Sequence, residues 1–455
     1  MQRLTAIFPL GLLLVACVDA SGDSASTTDA DDTSAGTSTG ADAPEVTYWR
    51  DIKTVLDAKC VGCHSPGNLA PFSLESYADA SAVASALPGS IMAGTMPPWP
   101  PDAACGTYLH DRSLAEADQE TLLKWVELGA PEGDPADAPP APPAPEEIEF
   151  DIELALPEPY TPTIAPDEYR CFLLPWPEDQ ETFITALSVT PGERQIVHHV
   201  IAFAIPPDQV ADYQALDDAD ADPGYLCYGG PGGQQSGGRV PWIGAWVPGG
   251  DPGDMPEGTG IKVQPGSLVA VQMHYHTYPG ARPDQSRIQI RTAASVDKVA
   301  AMMPFTNPAW VQGSEPMLIP AGEPRVVHNF AADVSNYLPL LFPDGDFQAG
   351  DSFMVHAAAL HMHTRGVRGS LGLTGGQSTC LLDIPRWDFN WQGSYQLTQP
   401  VTVRPGDELR IECEWDNTAA NQPVENGVLQ QPRDILWGEG TGDEMCLGIL
   451  YVTGV

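Results

Sequence analysis

Beyond residue 150 the apolar positions fall in short alternating runs. The stretches "SLVAVQMHYHTY", "RIQIRTAA", "VTVRPGDELRIECEWD" and "CLGILYV" are β-branched or alternating and are bounded by Pro-Gly or Asn-rich turns, as expected of strands with one buried face. An antiparallel all-β architecture follows, with sandwiches as its expected form. Before residue 150 the period changes. "SLAEADQETLLKWVELGAPEG" puts Leu122, Leu123 and Val126 on one helical face, opens with Ser113 and Glu116 at capping-box spacing, and closes at Gly129 before Pro131. A helical unit therefore precedes the β-rich part.

Two stretches have almost nothing to bury. Residues 18–45 are Ser, Thr, Asp, Ala and Gly and read as a flexible acidic tether. "GDPADAPPAPPAPEE", residues 133–147, reads as a semi-rigid extended spacer, giving a linker over 134–149. Ahead of the tether, the apolar run from Leu4 to Val15 is too short for a membrane span and is a signal-peptide core. It ends in Leu-Val-Ala-Cys, which resembles a bacterial lipobox, so residues 1–17 are expected to be a lipoprotein signal with Cys17 lipidated. The competing reading is an ordinary signal peptide cut elsewhere. Val18 after Cys17 implies the outer membrane, with the lipid-anchored chain on its periplasmic or cell-surface face.

Composition narrows the functions. The 455 residues allow two or three domains. With 21 basic against 61 acidic residues the net charge is −40, which excludes nucleic acid as a partner. The 44 glycines and 46 prolines, beside 42% hydrophobic residues, read as many turns in a β-rich protein plus some linker.

In "DIKTVLDAKCVGCHSPG", Cys60, Cys63 and His64 make C-x-x-C-H. This spacing lets two thiols take up the haem vinyl groups while the adjacent histidine ligates iron. A redox disulfide or half a zinc site are the rivals, but a zinc site wants a second pair nearby and only Cys105 and His110 follow. The terminal helix looks like that of a small cytochrome c, so residues 46–133 are expected to be a small all-α haem domain. "TMPPWPP" offers Met96 as the second axial ligand, with Met92 and His110 as alternatives, or Met96 is plain core.

Eight of the ten histidines lie from position 198 onward: His198, His199, His274, His276, His328, His356, His361 and His363. In a strand, residues i and i+2 share a face, so His361 and His363 would project side by side. Clustered imidazoles without an evident carboxylate or a further Cys-x-x-Cys leave copper or zinc. Met445, in "GTGDEMCLGILYVTG", separates these, because a thioether suits Cu(I) and is a poor zinc ligand; alone, it reads more readily as core.

Residues from about 150 onward resemble the copper type II, ascorbate-dependent monooxygenases, the family of peptidylglycine α-hydroxylating monooxygenase and dopamine β-monooxygenase. The resemblance rests on "VHHV", "MHYHTYPG", "HMHTRG" and "DEMC" in that order, with "GDELRIECEWDNT" before the last. It implies two mononuclear coppers. His198, His199 and His274 match the electron-transfer copper, and His361, His363 and Met445 match the copper that binds oxygen and substrate. It implies a mainly β fold of two successive antiparallel, jelly-roll-like β-sandwich domains, here 150–315 and 316–455. It also pairs Cys171 with Cys227 and Cys413 with Cys446. Met362 replaces the family's threonine but points to the opposite face. Ala359, Leu447 and Ile449 stand where the peptide enzyme contacts its substrate carboxylate, which argues against a peptidyl-glycine substrate. His276 could replace His274, His356 looks like a neighbour of the ligands, and His328 has no role.

Of nine cysteines, Cys105 and Cys380 then remain, and they are expected to bond to each other and dock the haem unit. The implied activity is hydroxylation of a C–H bond of a small organic substrate by O2. Electrons would come through a covalent haem c, from an ascorbate-like reductant or a periplasmic redox protein. The alternative is a non-enzymatic haem and copper lipoprotein for electron transfer or copper handling.

Overall fold

A computed structural model of the chain describes residues 45–66, 70–140, 148–232, 240–247, 253–277, 280–343, 345–376, 378–425, 428–440 and 442–455. The signal segment with Cys17, most of the tether and the second half of the Pro/Ala spacer, residues 141–147, lie outside these.

The first part is helical. A wide-turn segment Tyr48–Ile52 runs into the helix Lys53–Lys59, followed by Tyr77–Val83, Leu87–Met92 and Glu116–Glu127. The last helix packs Leu122 and Trp125 against Tyr48, Ile52 and Leu56, with the Tyr48 and Trp125 rings 6.2 Å apart. Trp125 thus takes the central place expected of Leu123 and Val126, which are only half-buried. The capping box does not form. The helix starts after Ala115, and the Ser113 amide instead donates to Asp111 at 2.7 Å, which draws Ser113 into the preceding turn. The end is as expected: Gly129 adopts φ +82°, its amide donates to Val126 and that of Ala130 to Trp125, closing the last carbonyls.

The rest is mainly β, in several antiparallel sheets. A five-stranded sheet runs in the order Tyr225–Leu226, Asp167–Pro175, Leu268–His276, Val197–Ile205, Trp242–Trp246. A four-stranded sheet orders Val326–Ala332, Glu408–Trp415, Gly366–Thr374 and Thr379–Ile384. Both face one nine-stranded sheet. Its first half, with Thr182–Thr190 and Arg287–Ala293, packs Ile184, Leu187 and Ile288 on Val200, Val269 and Val271 of the five-stranded sheet. Its second half, with Phe353–His361 and Leu447–Gly454, packs Val355, Leu360 and Leu450 on Leu371, Leu409 and Ile411 of the four-stranded sheet. Strand Lys298–Phe305 joins the halves, parallel to Thr259–Val263 on one side and antiparallel to Leu447–Gly454 on the other. Two sandwiches therefore share a continuous sheet.

All three expected disulfides are present: Cys171–Cys227, Cys413–Cys446 and Cys105–Cys380. The last fastens the helical part to the four-stranded sheet. Around it, the Asp102 amide donates to the Asp383 carbonyl at 2.8 Å and the Leu109 amide to Gln396 at 2.8 Å. Arg386 donates to the carbonyls of Ala93 and Gly94. The link is thus a hydrogen-bonded face as well as a covalent tether.

Strand Asp167–Pro175 is locked by a buried ion pair. Arg170 Nε donates to Glu168 at 2.9 Å and its Nη1 to the carbonyls of Pro223 and Gly224, while Glu168 accepts the amides of Thr163 and Ile164. Both side chains are almost wholly buried. Removing one partner strands the other charge, so Arg170→Met is expected to cost about 3–5 kcal/mol in chemical denaturation, largely recovered when Glu168→Gln is added. No loss in the single variant would contradict the assignment.

Candidate metal centre

Neighbouring residues on a flat strand point to opposite faces, yet His198 and His199 converge. Strand Val197–Ile205 pairs Val197 with Tyr275 and then His199 with His274, so His198 is an extra residue, a β-bulge. The bulge rotates the backbone so that both rings reach the side where His274 lies. His199 Nδ1 is 3.3 Å from His198 Nδ1 and 3.3 Å from His274 Nδ1. The ligand atoms of the three all lie within 4.8 Å of one another.

The neighbours fix which nitrogen faces inward. Asp167 Oδ1 accepts from His274 Nε2 at 2.9 Å and also contacts His276 Nδ1 at 2.9 Å. With Nε2 protonated, His274 presents the Nδ1 lone pair to the cluster. Tyr169 stacks on the His274 ring at 4.1 Å and Phe389 on the His198 ring at 4.8 Å. Burial alone would raise the Asp167 carboxyl, but the bonds from His274 and His276 outweigh it and hold it well below the usual range.

The second set lies on the other sandwich. His361 ends strand Phe353–His361, His363 follows just before a turn, and their rings are 5.0 Å apart. Met362 between them is fully buried in the core of that sandwich, next to Gly366, as alternation requires. His361 Nδ1 is 2.6 Å from Gln392 Oε1 and His363 Nδ1 is 3.1 Å from the Asp443 carbonyl. Both oxygens accept, so each ring carries its proton on Nδ1 and leaves Nε2 free. Met445 is buried and shares a cavity wall with both histidines. It is held between two fixed residues. Glu444 accepts the His363 amide at 2.9 Å, the Arg365 amide at 2.7 Å and the Trp415 indole N–H at 2.8 Å. Cys446 is bonded to Cys413. Burial pushes the Glu444 carboxyl up to about 7.

Desolvation keeps all five imidazoles uncharged near neutral pH. Burial lowers His198 to about 3 and His361 to about 4, and pushes His199 and His363 well below the ordinary histidine value. For His274, burial outweighs the pull of Asp167 and the shift is also downward. Neutral rings have lone pairs to offer a metal.

The two sets face each other. The His199 and His361 ring centres are 6.2 Å apart, and Phe389 lies 4.8 Å from His198 and 6.2 Å from His363. A cavity of about 1000 Å³ opens onto His199, His361, His363 and Met445. Ala359, Leu447 and Ile449 line it, with Ala359 paired to Ile449 and His361 to Leu447 across adjacent strands.

The other expected residues fall as follows. His276 stands one carboxylate away from the triad, sharing Asp167 with His274. His356 bonds Thr453 Oγ1 at 2.9 Å, and His328 bonds the Leu318 carbonyl at 2.9 Å between Trp310 and Trp415. In the helical part, Cys60 and Cys63 are free thiols on one turn, and the His64 amide donates to the Cys60 carbonyl at 2.9 Å. His64 is buried with Nδ1 3.2 Å from the Phe72 carbonyl, which leaves Nε2 as its donor. Met96 is 37% exposed and Met92 71%, while His110 lies on the wall of the large cavity. Asp167, Phe389, Gln392 and Glu444 were not singled out in the sequence. Asp167 and Gln392 are known only once strand pairing and the 385–393 loop are seen, whereas Glu444 adjoins Met445 directly in the sequence.

The donor sets fit copper: three imidazole Nδ1 atoms in one, and in the other two Nε2 atoms with the Met445 thioether on the same cavity wall. No curated protein matches the chain. Among solved structures, the major capsid protein P2 from Bacteriophage PM2 shares 9% identity over 67% of this chain and 97% of that one, at a TM-score of 0.23. The infectious bursal disease virus VP2 subviral particle shares 11% over 69% and 74%, at 0.17. At such scores neither carries an argument. Residues 348–453 match the family described as copper type II ascorbate-dependent monooxygenase, C-terminal domain. That segment contains His361, His363 and Met445, and it makes the C-terminal part of this chain similar to a copper-dependent monooxygenase.

Proposed function

We propose that the protein is a copper-dependent monooxygenase that hydroxylates a C–H bond of an organic substrate. The observation that carries this is the facing of two different neutral donor sets, His198/His199/His274 and His361/His363/Met445, across 6.2 Å at one cavity. The family match over the second set supports it. The balance is substrate C–H plus O2, two electrons and two protons, giving the alcohol and water.

Bound copper would supply one-electron storage at each set and oxygen activation at the second. The chain does the rest. Asp167, Gln392 and the Asp443 carbonyl hold His274, His361 and His363 in one tautomer each. Glu444 and the Cys413–Cys446 bond fix the chain on either side of Met445, whose side chain shares the cavity wall with His361 and His363. Packing in the two sandwiches leaves His274 and His363 almost wholly buried, while His198, His199 and His361 stay half-buried.

For the electrons, our reading is a covalent haem on Cys60, Cys63 and His64, with Met96 as the second axial ligand. The buried His64 with Nδ1 at a carbonyl and the two free thiols on one turn support it. The donor is then an ascorbate-like reductant or a periplasmic redox protein. The lipobox-like Leu-Val-Ala-Cys supports an outer-membrane anchor at Cys17, on either face. Among the described residues no helix is long and apolar enough to cross a membrane.

Metal analysis on protein matured where c-type haem is attached is the direct test. About two coppers per chain are expected, with His198→Ala and His361→Ala each losing about one; zinc, or copper unmoved by both, would refute the assignment. Asp167→Asn keeps the ring contacts but loosens the His274 tautomer, so copper affinity at the first set should fall about 10–100-fold with the second set unchanged. Replacing His64 or Met96 should slow turnover with a protein donor and not with a small reductant. Equal loss with both would make the haem unit structural.

A further inference from the structure

The cavity is not closed by the two sandwiches alone. Leu109 and His110, from the segment that follows the helical part's third helix, stand on its wall with Gln392 and Gln396. This segment is seated firmly. Cys105 is bonded to Cys380, Tyr108 is buried in the core of the C-terminal sandwich with its hydroxyl donating to the Leu381 carbonyl at 3.1 Å, and the Leu109 amide donates to Gln396 at 2.8 Å. His110 then turns at φ +56°, in the left-handed region that favours glycine and that few other residue types adopt.

The wall has a distinct chemistry. Phe203, Trp242, Phe305, Phe330 and Tyr337 supply aromatic surface. Among the described residues no lysine or arginine lines it, and three carboxylates do: Asp254, Asp333 and Glu439. Two of these are already engaged. Asp254 accepts from Arg291 at 2.6 Å, and Asp333 accepts the amides of Ser335 at 2.9 Å and Gly406 at 2.8 Å. An anionic substrate meets like charge and no cation. An amine meets two carboxylates that already have partners and a third, Glu439, that burial pushes up to about 7, which favours its uncharged form there. The volume, about 1000 Å³, is at the large end for small-molecule sites.

Resting on the monooxygenase reading, we infer that the substrate is a large, uncharged, ring-bearing apolar molecule, and that Leu109 and His110 of the helical part are specificity-determining residues for it. The helical part thereby shapes substrate choice as well as standing ahead of the copper domains in the chain.

The test is equilibrium binding to the full, copper-loaded chain of three probes with one skeleton: methylbiphenyl, biphenyl carboxylate and biphenyl methylamine. Toluene serves as a small neutral probe. Methylbiphenyl should bind at least about tenfold tighter than either charged probe. Leu109 is 39% exposed, so its variants should fold. Leu109→Trp should weaken methylbiphenyl about tenfold while sparing toluene, and Leu109→Ala should weaken both by less, with copper content unchanged in each. Charged probes binding as well as the neutral one would overturn the substrate class. A methylbiphenyl-to-toluene affinity ratio unmoved by both variants would overturn the role of the helical part. Probe binding as expected in a protein that forms no hydroxylated product would support this cavity assignment and refute the activity on which it rests.

Discussion

Everything at this site depends on keeping five crowded imidazoles uncharged and correctly turned. Protonated rings at centre-to-centre spacings of 4.7 to 6.2 Å would repel one another and carry their protons into the space where a cation belongs. Desolvation removes the first problem by pushing the rings' basicity down. Fixed acceptors address the second at three of the rings: Asp167 accepts the Nε2–H of His274, whereas Gln392 and the Asp443 carbonyl accept the Nδ1–H of His361 and His363. The two sets thus offer opposite ring nitrogens, Nδ1 in the first and Nε2 in the second.

That arrangement needs a scaffold that cannot slide. The continuous nine-stranded sheet couples the two sandwiches through Lys298–Phe305, so the strands carrying His274 and His361 are referenced to one frame. Disulfides then lie where strands alone would leave loops: Cys413–Cys446 beside Met445, Cys171–Cys227 behind the strand that bears Asp167, and Cys105–Cys380 under the segment that reaches the cavity. The loop carrying Phe389 and Gln392 touches both histidine sets and has no regular structure of its own. Its hold comes from Asn390, Gln392 and the Trp387 indole, which donates to the His363 carbonyl at 3.1 Å.

Much of this was readable in the sequence, for definite reasons. Alternation in "SLVAVQMHYHTY" and "RIQIRTAA" gave strands Leu268–His276 and Arg287–Ala293 because each has one face in a sandwich core. The cysteine pairs followed from the family resemblance and, for Cys105 and Cys380, from elimination. What was not readable is what depends on pairing between distant strands. The bulge at His198 exists only against strand Leu268–His276, and strict alternation would have sent His198 and His199 apart. Asp167 meets His276 only through register. The Ser113 capping box failed because a nearer carboxylate, Asp111, captured the serine amide. The reach of Leu109 and His110 into the cavity required the docked helical part, which no local pattern encodes.

The most direct measurement is the fate of oxygen. Copper-loaded, reduced protein is given isotopically heavy O2 with an uncharged apolar substrate, and product and water are analysed by mass. One heavy oxygen atom is expected in the hydroxylated product and the other in water, in proportion to O2 consumed. Reoxidation of the metals with no labelled product would contradict it and leave an electron-transfer or copper-handling protein in its place.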